Sequence, residues 1–355
     1  MKKQWMILFC VLLMLAGGCA ANENRAETTG EVETGVGETG EAEETVQLAV
    51  AVSSDWTGVL RGEIFESTAE KLEEWSEGTL SIRLYDRGQL GDDADLIQGV
   101  QLGTLNIING VPASQIAAVP EAALLDAPGI FSSVEQYNRM MENGYLDVMQ
   151  GYYRQVGLQL LDSYAVSFRQ LSSSQPIFSL ADFQGLHIRT METPYHTAYW
   201  SALGAVAMPI PYSELYFALR QGTVAAQENP LYNLISGRLY EVQQYLIQTN
   251  HAPMATNYVM NLEQYEALSP EHRSLLERFL EELKAEEIQR LPEEEASQLE
   301  QLSQEHGMEI LTPSEELREQ MQEASEPMLN LLRQDLGADV VDGFLEAVEA
   351  AGTEP

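Results

Sequence analysis

Between Val46 and Gly110 the chain alternates between two periods. VQLAVAV, LSIRLY and LNIING are short apolar runs with strand character, and the stretches between them, Gly62 to Glu77 and Asp92 to Leu102, carry apolar residues at helical spacing. Strand, helix, strand at these lengths is the pattern of βαβ units, which require a parallel sheet with helices on its faces. The fold class expected is therefore α/β.

The same style returns further on. LQLLDSY, VSFRQLS and LHIRT read as strands, followed by a helix from Tyr195 to Leu203 and another that begins with Ser213 as cap and Glu214 in its first turn. After Asn261 the chain turns helical. Ser269 can cap, Pro270 suits the first helical position, and Leu275, Leu276, Phe279, Leu280 and Leu283 form one apolar stripe. Pro292 is expected to kink this helix and Gly307 to end it. MEIL is a short strand, and Thr312-Pro313-Ser314-Glu315 reads as a capping box opening acidic C-terminal helices. From Val46 to Ala350 this makes roughly 300 residues, a length at which one core gives way to two.

The first 45 residues differ in kind. Lys2 and Lys3 precede an apolar run from Trp5 to Leu15, too short to span a bilayer, and Ala16-Gly17-Gly18 leads into Cys19. This reads as an export signal, and its end resembles a bacterial lipobox, which implies cleavage after residue 18 and an acylated Cys19 anchored in the lipid bilayer. The alternative is an ordinary signal peptide cut elsewhere, with Cys19 incidental. Cys10 lies inside the removed segment, so the mature chain keeps one cysteine and no intrachain disulfide. Residues 19–45 are rich in Gly, Glu, Thr and Ala and read as a disordered acidic tether. The G-x-G-x-x-G at Gly35 to Gly40 has no strand before it and no helix after it, and carries no meaning.

Charge narrows the function. Against 55 acidic residues stand 19 basic ones, a net charge of −36, which excludes nucleic acid as a partner. An arginine inside an apolar strand then stands out. In LHIRT, Leu186 and Ile188 share one face, with His187 and Arg189 on the other; in VSFRQLS, Val166 and Phe168 oppose Ser167, Arg169 and Leu171. The two guanidinium groups are expected near each other on neighbouring strands. Buried guanidinium requires acceptors, and its parallel N–H donors match the two oxygens of a carboxylate. That carboxylate is either a ligand's or the protein's own, with Asp162, Asp182 and Glu192 available.

Other chemistries lack their signatures. The five histidines, at 187, 196, 251, 272 and 306, have no ligand spacing, so no metal site is expected, and His251 reads as structural. There is no G-x-S-x-G, P-loop, H-E-x-x-H or C-x-x-C, so neither an enzyme nor a cofactor is expected. The glutamate runs between Glu281 and Glu305 read as a solvated helix face.

DFQGLHIRT, then Leu203-Gly204-Ala205, Pro209-x-Pro211, YSELYFALRQGTV and QENP, resemble the solute-binding subunits of TRAP transporters, the tripartite ATP-independent periplasmic carriers. The likeness extends upstream through EGTLSIRLYDRGQLGDDADLIQGVQLGTLNI and downstream through LYEVQQYLIQTNH, covering most of residues 46–260. It implies a two-lobed, type II-like periplasmic-binding-protein fold with hinge strands and a long bridging helix. Lobe I would hold 46–166 and 255–294, lobe II 167–254 and 295–350. It also implies closure on a small organic acid and delivery to an ion-driven TRAP permease in the membrane; the alternative is a ligand-sensing subunit for a membrane signalling protein. By this resemblance Arg189 clamps the ligand carboxylate, Arg169 assists, and Asn229 of QENP reaches the ligand, whereas Glu228 is structural. Tyr212 either lies against the ligand or packs on Phe217 as a helix staple. Asp92 and Asn109 lie on first-lobe loops that face the cleft. Two departures bear on the pocket. The chain has Val224-Ala225-Ala226 where the family usually shows Val-Asp-Gly before QENP, and Ala127-Pro128-Gly129-Ile130-Phe131 replaces a Pro-Phe/Tyr-Leu-Phe stretch.

Overall fold

The computed structural model describes residues 45–353. Nine strands make one mixed sheet, with helices packed on it. In chain order these are β1 (Val46–Ala51), α1 (Leu60–Trp75), β2 (Leu80–Tyr85), α2 (Asp93–Gln101), β3 (Ile107–Gly110), α3 (Val134–Met140), α4 (Leu146–Gln155) and β4 (Leu158–Ser173). The chain continues through β5 (His187–Thr190), α5 (Pro194–Ala202), β6 (Val206–Pro209), α6 (Tyr212–Arg220), β7 (Ala226–Asn229), α7 (Leu231–Ser236), β8 (Tyr245–Asn261) and α8 (Leu262–Ala267). Then follow α9 (Pro270–Gln304), β9 (Glu309–Leu311), α10 (Glu315–Glu323), α11 (Ser325–Leu336) and α12 (Ala338–Thr353).

The strand order is β2-β1-β3-β8-β4-β7-β5-β6, with β9 paired to β8. β1 runs parallel to β2 and β3 at one end, and β5 runs parallel to β6 and β7 at the other. Between these two βα groups lie the long antiparallel strands β4 and β8, 16 and 17 residues each. The stretches LQLLDSY and VSFRQLS are thus one strand. Its pairing with β8 shifts register between Leu160 and Asp162, between Ala165 and Phe168, and again between Arg169 and Leu171. Such irregularities bend and twist a strand where a regular ladder would keep it straight. The result is the two-lobed α/β fold.

The helix α9 connects the two ends. Ser269 Oγ accepts from the His272 amide and Pro270 opens the helix, as its missing N–H permits. Leu276, Phe279, Leu280 and Leu283 pack on α1, β1 and β2, and Leu302, at the far end, belongs to the cluster around α6, α7 and β8. Its 35 residues span about 52 Å, and it continues as one helix through Pro292 to Gln304.

Several boundaries differ from expectation for local reasons. α1 ends at Trp75 because Glu77 and Gly78 adopt left-handed φ values of 50° and 81°. The cap of α10 is Ser314, which accepts from the Leu317 amide, whereas Thr312 bonds to Gln248. α6 starts at Tyr212 behind Pro211, so Ser213 is inside the helix and caps nothing. At Gly62 a Cβ would stand 2.1 Å from the Trp56 carbonyl oxygen, so only glycine lets the start of α1 press against the loop that follows β1.

Candidate functional site

The C-terminal ends of strands from both βα groups meet at a cavity of about 60 Å³. One wall comes from Ser53 and Ser54 after β1, Arg61 in the first turn of α1, Asp93 at the start of α2, and Asn109 on β3. The other comes from Arg169 on β4, Asn229 on β7, Arg189 on β5, Met191, Tyr212, Tyr232 and Asn233. A wider recess of about 550 Å³ shares Ser53, Asp93 and Tyr212 with it. The inner cavity is narrow, and its polar lining comes from both groups of strands.

Arg169 and Arg189 both line the cavity, but they are not on neighbouring strands: β7 runs between β4 and β5, and carries Asn229 there. Arg169 is 2 % exposed and lies against Glu228, an adjoining buried carboxylate. Its Nη2 donates to Glu228 Oε1 at 3.0 Å, to the Glu228 carbonyl at 2.9 Å and to Asn229 Oδ1 at 3.1 Å. Burial works against both charges, yet each outweighs it for the other: Arg169 is held above its ordinary pKa, and Glu228, with help from His251, falls well below the usual carboxylate range. His251 Nε2 lies 3.2 Å from Glu228 Oε2 and its Nδ1 2.8 Å from Thr249 Oγ1. His196 stands behind this group, 2.9 Å from Asp126 Oδ2, and Asp126 outweighs burial to raise it.

Of the protein carboxylates anticipated for the arginines, Glu192 is exposed and the other two are engaged elsewhere. Asp162 faces Lys284 at 3.8 Å, and Asp182 accepts from the amides of Phe178 and Ser179.

Arg189 has different surroundings. It is 4 % exposed and no ion pair to it exists among the described residues. Its Nε donates to the Ile210 carbonyl at 2.7 Å. Ile210 lies between Pro209 and Pro211, and a residue that precedes proline is kept extended, so the Pro-x-Pro pair fixes the carbonyl that aims this side chain. Burial lowers the guanidinium to about 10, Glu228 offsets this in part, and Arg169 adds to it. Burial thus disfavours this cation by more than the nearby carboxylates Glu228 and Asp93 restore.

Asn229 stands at the cavity despite the altered residues before it. Its Oδ1 accepts from Arg169 and Asn233, and its Nδ2 donates to Gln227 Oε1 at 2.6 Å. Tyr212 lines the cavity, its hydroxyl 3.4 Å from the Asn233 carbonyl, and burial pushes it up to about 12. It is no staple on Phe217, which is 60 % exposed and packs on Tyr216. A Cβ on Gly237 would come within 2.8 Å of the Tyr212 oxygen, so glycine is required for this placement. Asn109 is buried at the cavity with its Nδ2 2.7 Å from Thr256 Oγ1.

Asp92 stands at the outer part of the cleft. Its Oδ1 caps α2 by accepting from the amides of Ala94 and Asp95, in a box with Asp95, and it borders only the outer recess. The next residue, Asp93, lines the inner cavity. Burial raises its carboxyl, although Ser53 and Arg189 pull it down. Sequence reasoning also missed Arg61, Tyr232 and Asn233. The positions of the last two, directly after QENP, were the available signal; for Arg61 none existed, since it stands in a helix start like any surface arginine.

Among the described residues no group of three or more His, Cys, Asp or Glu is placed to hold a metal ion, and no helix is long and apolar enough to cross a membrane. The proposed signal, Cys19 and the tether lie outside the described residues, save Thr45.

Residues 59–335 match the model of the bacterial extracellular solute-binding proteins, family 7. Over 274 residues the chain is 26 % identical to the sialic acid-binding periplasmic protein of Vibrio cholerae, covering 77 % of this chain and 84 % of that one. It is 30 % identical to the 2,3-diketo-L-gulonate-binding periplasmic protein of Escherichia coli over 58 % of this chain and 63 % of the relative's length. Among solved structures, a TRAP periplasmic solute-binding protein from Ochrobactrum anthropi superimposes with a TM-score of 0.78 at 27 % identity, covering 88 % of this chain and 97 % of that one. A sugar acid-binding protein of Advenella mimigardefordensis, at 24 % identity and a TM-score of 0.81, covers 87 % and 99 % and shares the fold.

Proposed function

The chain belongs to family 7 of the bacterial extracellular solute-binding proteins, and on that premise we propose that it captures a small organic acid between its lobes and delivers it to an ion-driven TRAP permease. The observation that carries this reading is Arg189: buried, aimed by Ile210, lining the cavity, and without a carboxylate of its own among the described residues. A ligand carboxylate supplies the missing counter-charge in a desolvated cleft, where bidentate pairing counts for most. Relatives named for sialic acid and 2,3-diketo-L-gulonate, both carboxylic acids, support the same chemistry.

In this reading Arg169 and Asn229 brace the floor, while Tyr212, Asn109 and Asp93 contact the body of the ligand. The lobes, 46–166 with 255–294 and 167–254 with 295–350, close about the irregular stretch of β4 near Val166 and Ser167. Cys19, acylated after removal of residues 1–18, tethers the protein to the membrane on the extracytoplasmic side through residues 19–45. Binding leaves the ligand chemically unchanged.

Native mass spectrometry of the purified protein, before and after unfolding, identifies what the cleft carries; a carboxylate is expected. Calorimetry with that acid is then expected to show at least ~100-fold weaker binding by folded Arg189→Ala, about 3 kcal/mol. A neutral or cationic ligand, or unchanged affinity in the variant, sinks the reading.

A further inference from the structure

Three arginines line the cavity, and two of them are matched by carboxylates that lie behind it. Arg169 has Glu228. Arg61 has Glu287: its Nε donates to Oε1 at 3.0 Å, with the guanidinium 4.7 Å from the centre of the Trp56 ring. Arg61 is 4 % exposed, Glu287 is fully buried in the middle of α9, and the Tyr164 hydroxyl donates to its other oxygen at 3.1 Å. Burial disfavours the Arg61 cation, but Glu287 together with Tyr232, Tyr164 and Tyr258 outweighs it. Its Nη2, which carries two N–H groups, is buried without a hydrogen-bond partner among the described residues.

The remaining charges leave the count unchanged. His196 is paired with Asp126 away from the cavity lining, and Asp93 adds a carboxyl to the lining itself. Arg189 is therefore the one cavity arginine without a protein carboxylate among the described residues. A second carboxylate on the ligand would meet Asp93 and find no free cation, and an unpaired charge in a closed cleft is strongly disfavoured.

We propose that Glu287, which does not itself line the cavity, sets the charge of the ligand: by holding Arg61 it restricts the cleft to monocarboxylates and rejects dicarboxylates of the same skeleton. This rests on the carboxylate reading above. It makes Glu287 a specificity determinant acting through Arg61, on the helix that joins the two ends of the sheet.

The test is calorimetry on matched pairs that differ by one carboxylate, butyrate with succinate and D-gluconate with D-glucarate. In the wild-type protein the monoacid of the pair that binds is expected to be at least tenfold tighter. In Glu287→Gln, which keeps the shape and frees Arg61, that ratio is expected to fall at least tenfold or invert. Dicarboxylate preference in the wild type, or an unchanged ratio in a folded Glu287→Gln, overturns the proposal while leaving the carboxylate reading intact. If Glu287→Gln does not fold, the double variant Arg61→Met/Glu287→Gln, which removes both charges together, is expected to gain no dicarboxylate affinity; a gain overturns the proposal. Failure of every acid in both pairs to bind counts against the carboxylate reading and this inference together.

Discussion

Arg169 and Arg189 stand two strands apart, line the same cavity and are almost equally buried, yet the protein treats them in opposite ways. Around Arg169 the floor supplies a carboxylate, a carbonyl and an amide oxygen, and Glu228 is in turn held by His251. Around Arg189 it supplies one carbonyl. Burial alone therefore does not distinguish a structural cation from a binding one. What distinguishes them is whether the counter-charge belongs to the protein, since a buried ion is tolerated only when something neutralises it.

That difference yields the largest effect. Removing the carboxylate in Glu228→Ala leaves Arg169 buried and unpaired, and is expected to cost about 3–5 kcal/mol in denaturant unfolding. Arg189→Leu removes a cation that has no protein carboxylate, so stability without ligand is expected to stay within about 1 kcal/mol or rise. Equal losses in the two variants would erase the distinction. The pH dependence follows the same pair. Glu228 is held below its ordinary 4.5 when folded, so its stabilisation is fully present above that value and is lost as pH falls from about 4.5 towards the folded value. The part of the acid-side loss due to Glu228 should be missing from Glu228→Gln.

Adjacent residues sharpen the contrast at a smaller scale. Asp92 caps α2 and Asp93 lines the cavity. Asp92→Ala is expected to cost about 1 kcal/mol of stability, the usual value of an N-cap, with ligand affinity unchanged in calorimetry. Asp93→Asn is expected to do the reverse, altering affinity while stability holds or rises slightly, because burial already disfavours its charge.

These residues also mark where the sequence was legible. The βα alternation, the cap and apolar stripe of α9, and the placement of Arg189 and Asn229 follow from local periods and from one resemblance that runs through QENP. Asp92 was chosen over Asp93 because a cap and a cleft residue look alike when they are neighbours at a helix start. Pairing across the sheet was less readable. Nothing in VSFRQLS shows that β7 inserts between β4 and β5, so the arginines were expected on adjacent strands and Glu228 was assigned a structural role with no named partner. Arg61 and Glu287, 226 positions apart, meet only because α1 packs against α9. A contact of that kind has no local signature, and the glutamate reads as one more residue of a solvated run.

Glu295 extends the comparison to an acid without a cation. It lies eight residues after Glu287 in α9, beside Val59, Arg61, Tyr232 and Glu294, and burial alone raises its carboxyl from 4.5 to about 7. No ion pair to it occurs among the described residues. The folded chain therefore keeps a proton that the unfolded chain releases, and stability from this group falls as pH rises from about 4.5 to about 7. The sign is opposite to that of Glu228. Glu295→Gln should flatten that fall and gain stability at pH 8, by an amount that partial exposure limits to roughly 1 kcal/mol, read as the slope of the unfolding midpoint against pH. An unchanged slope would mean that Glu295 is ionised through that range, and that an acid in α9 can remain charged without the cation that Glu287 has in Arg61.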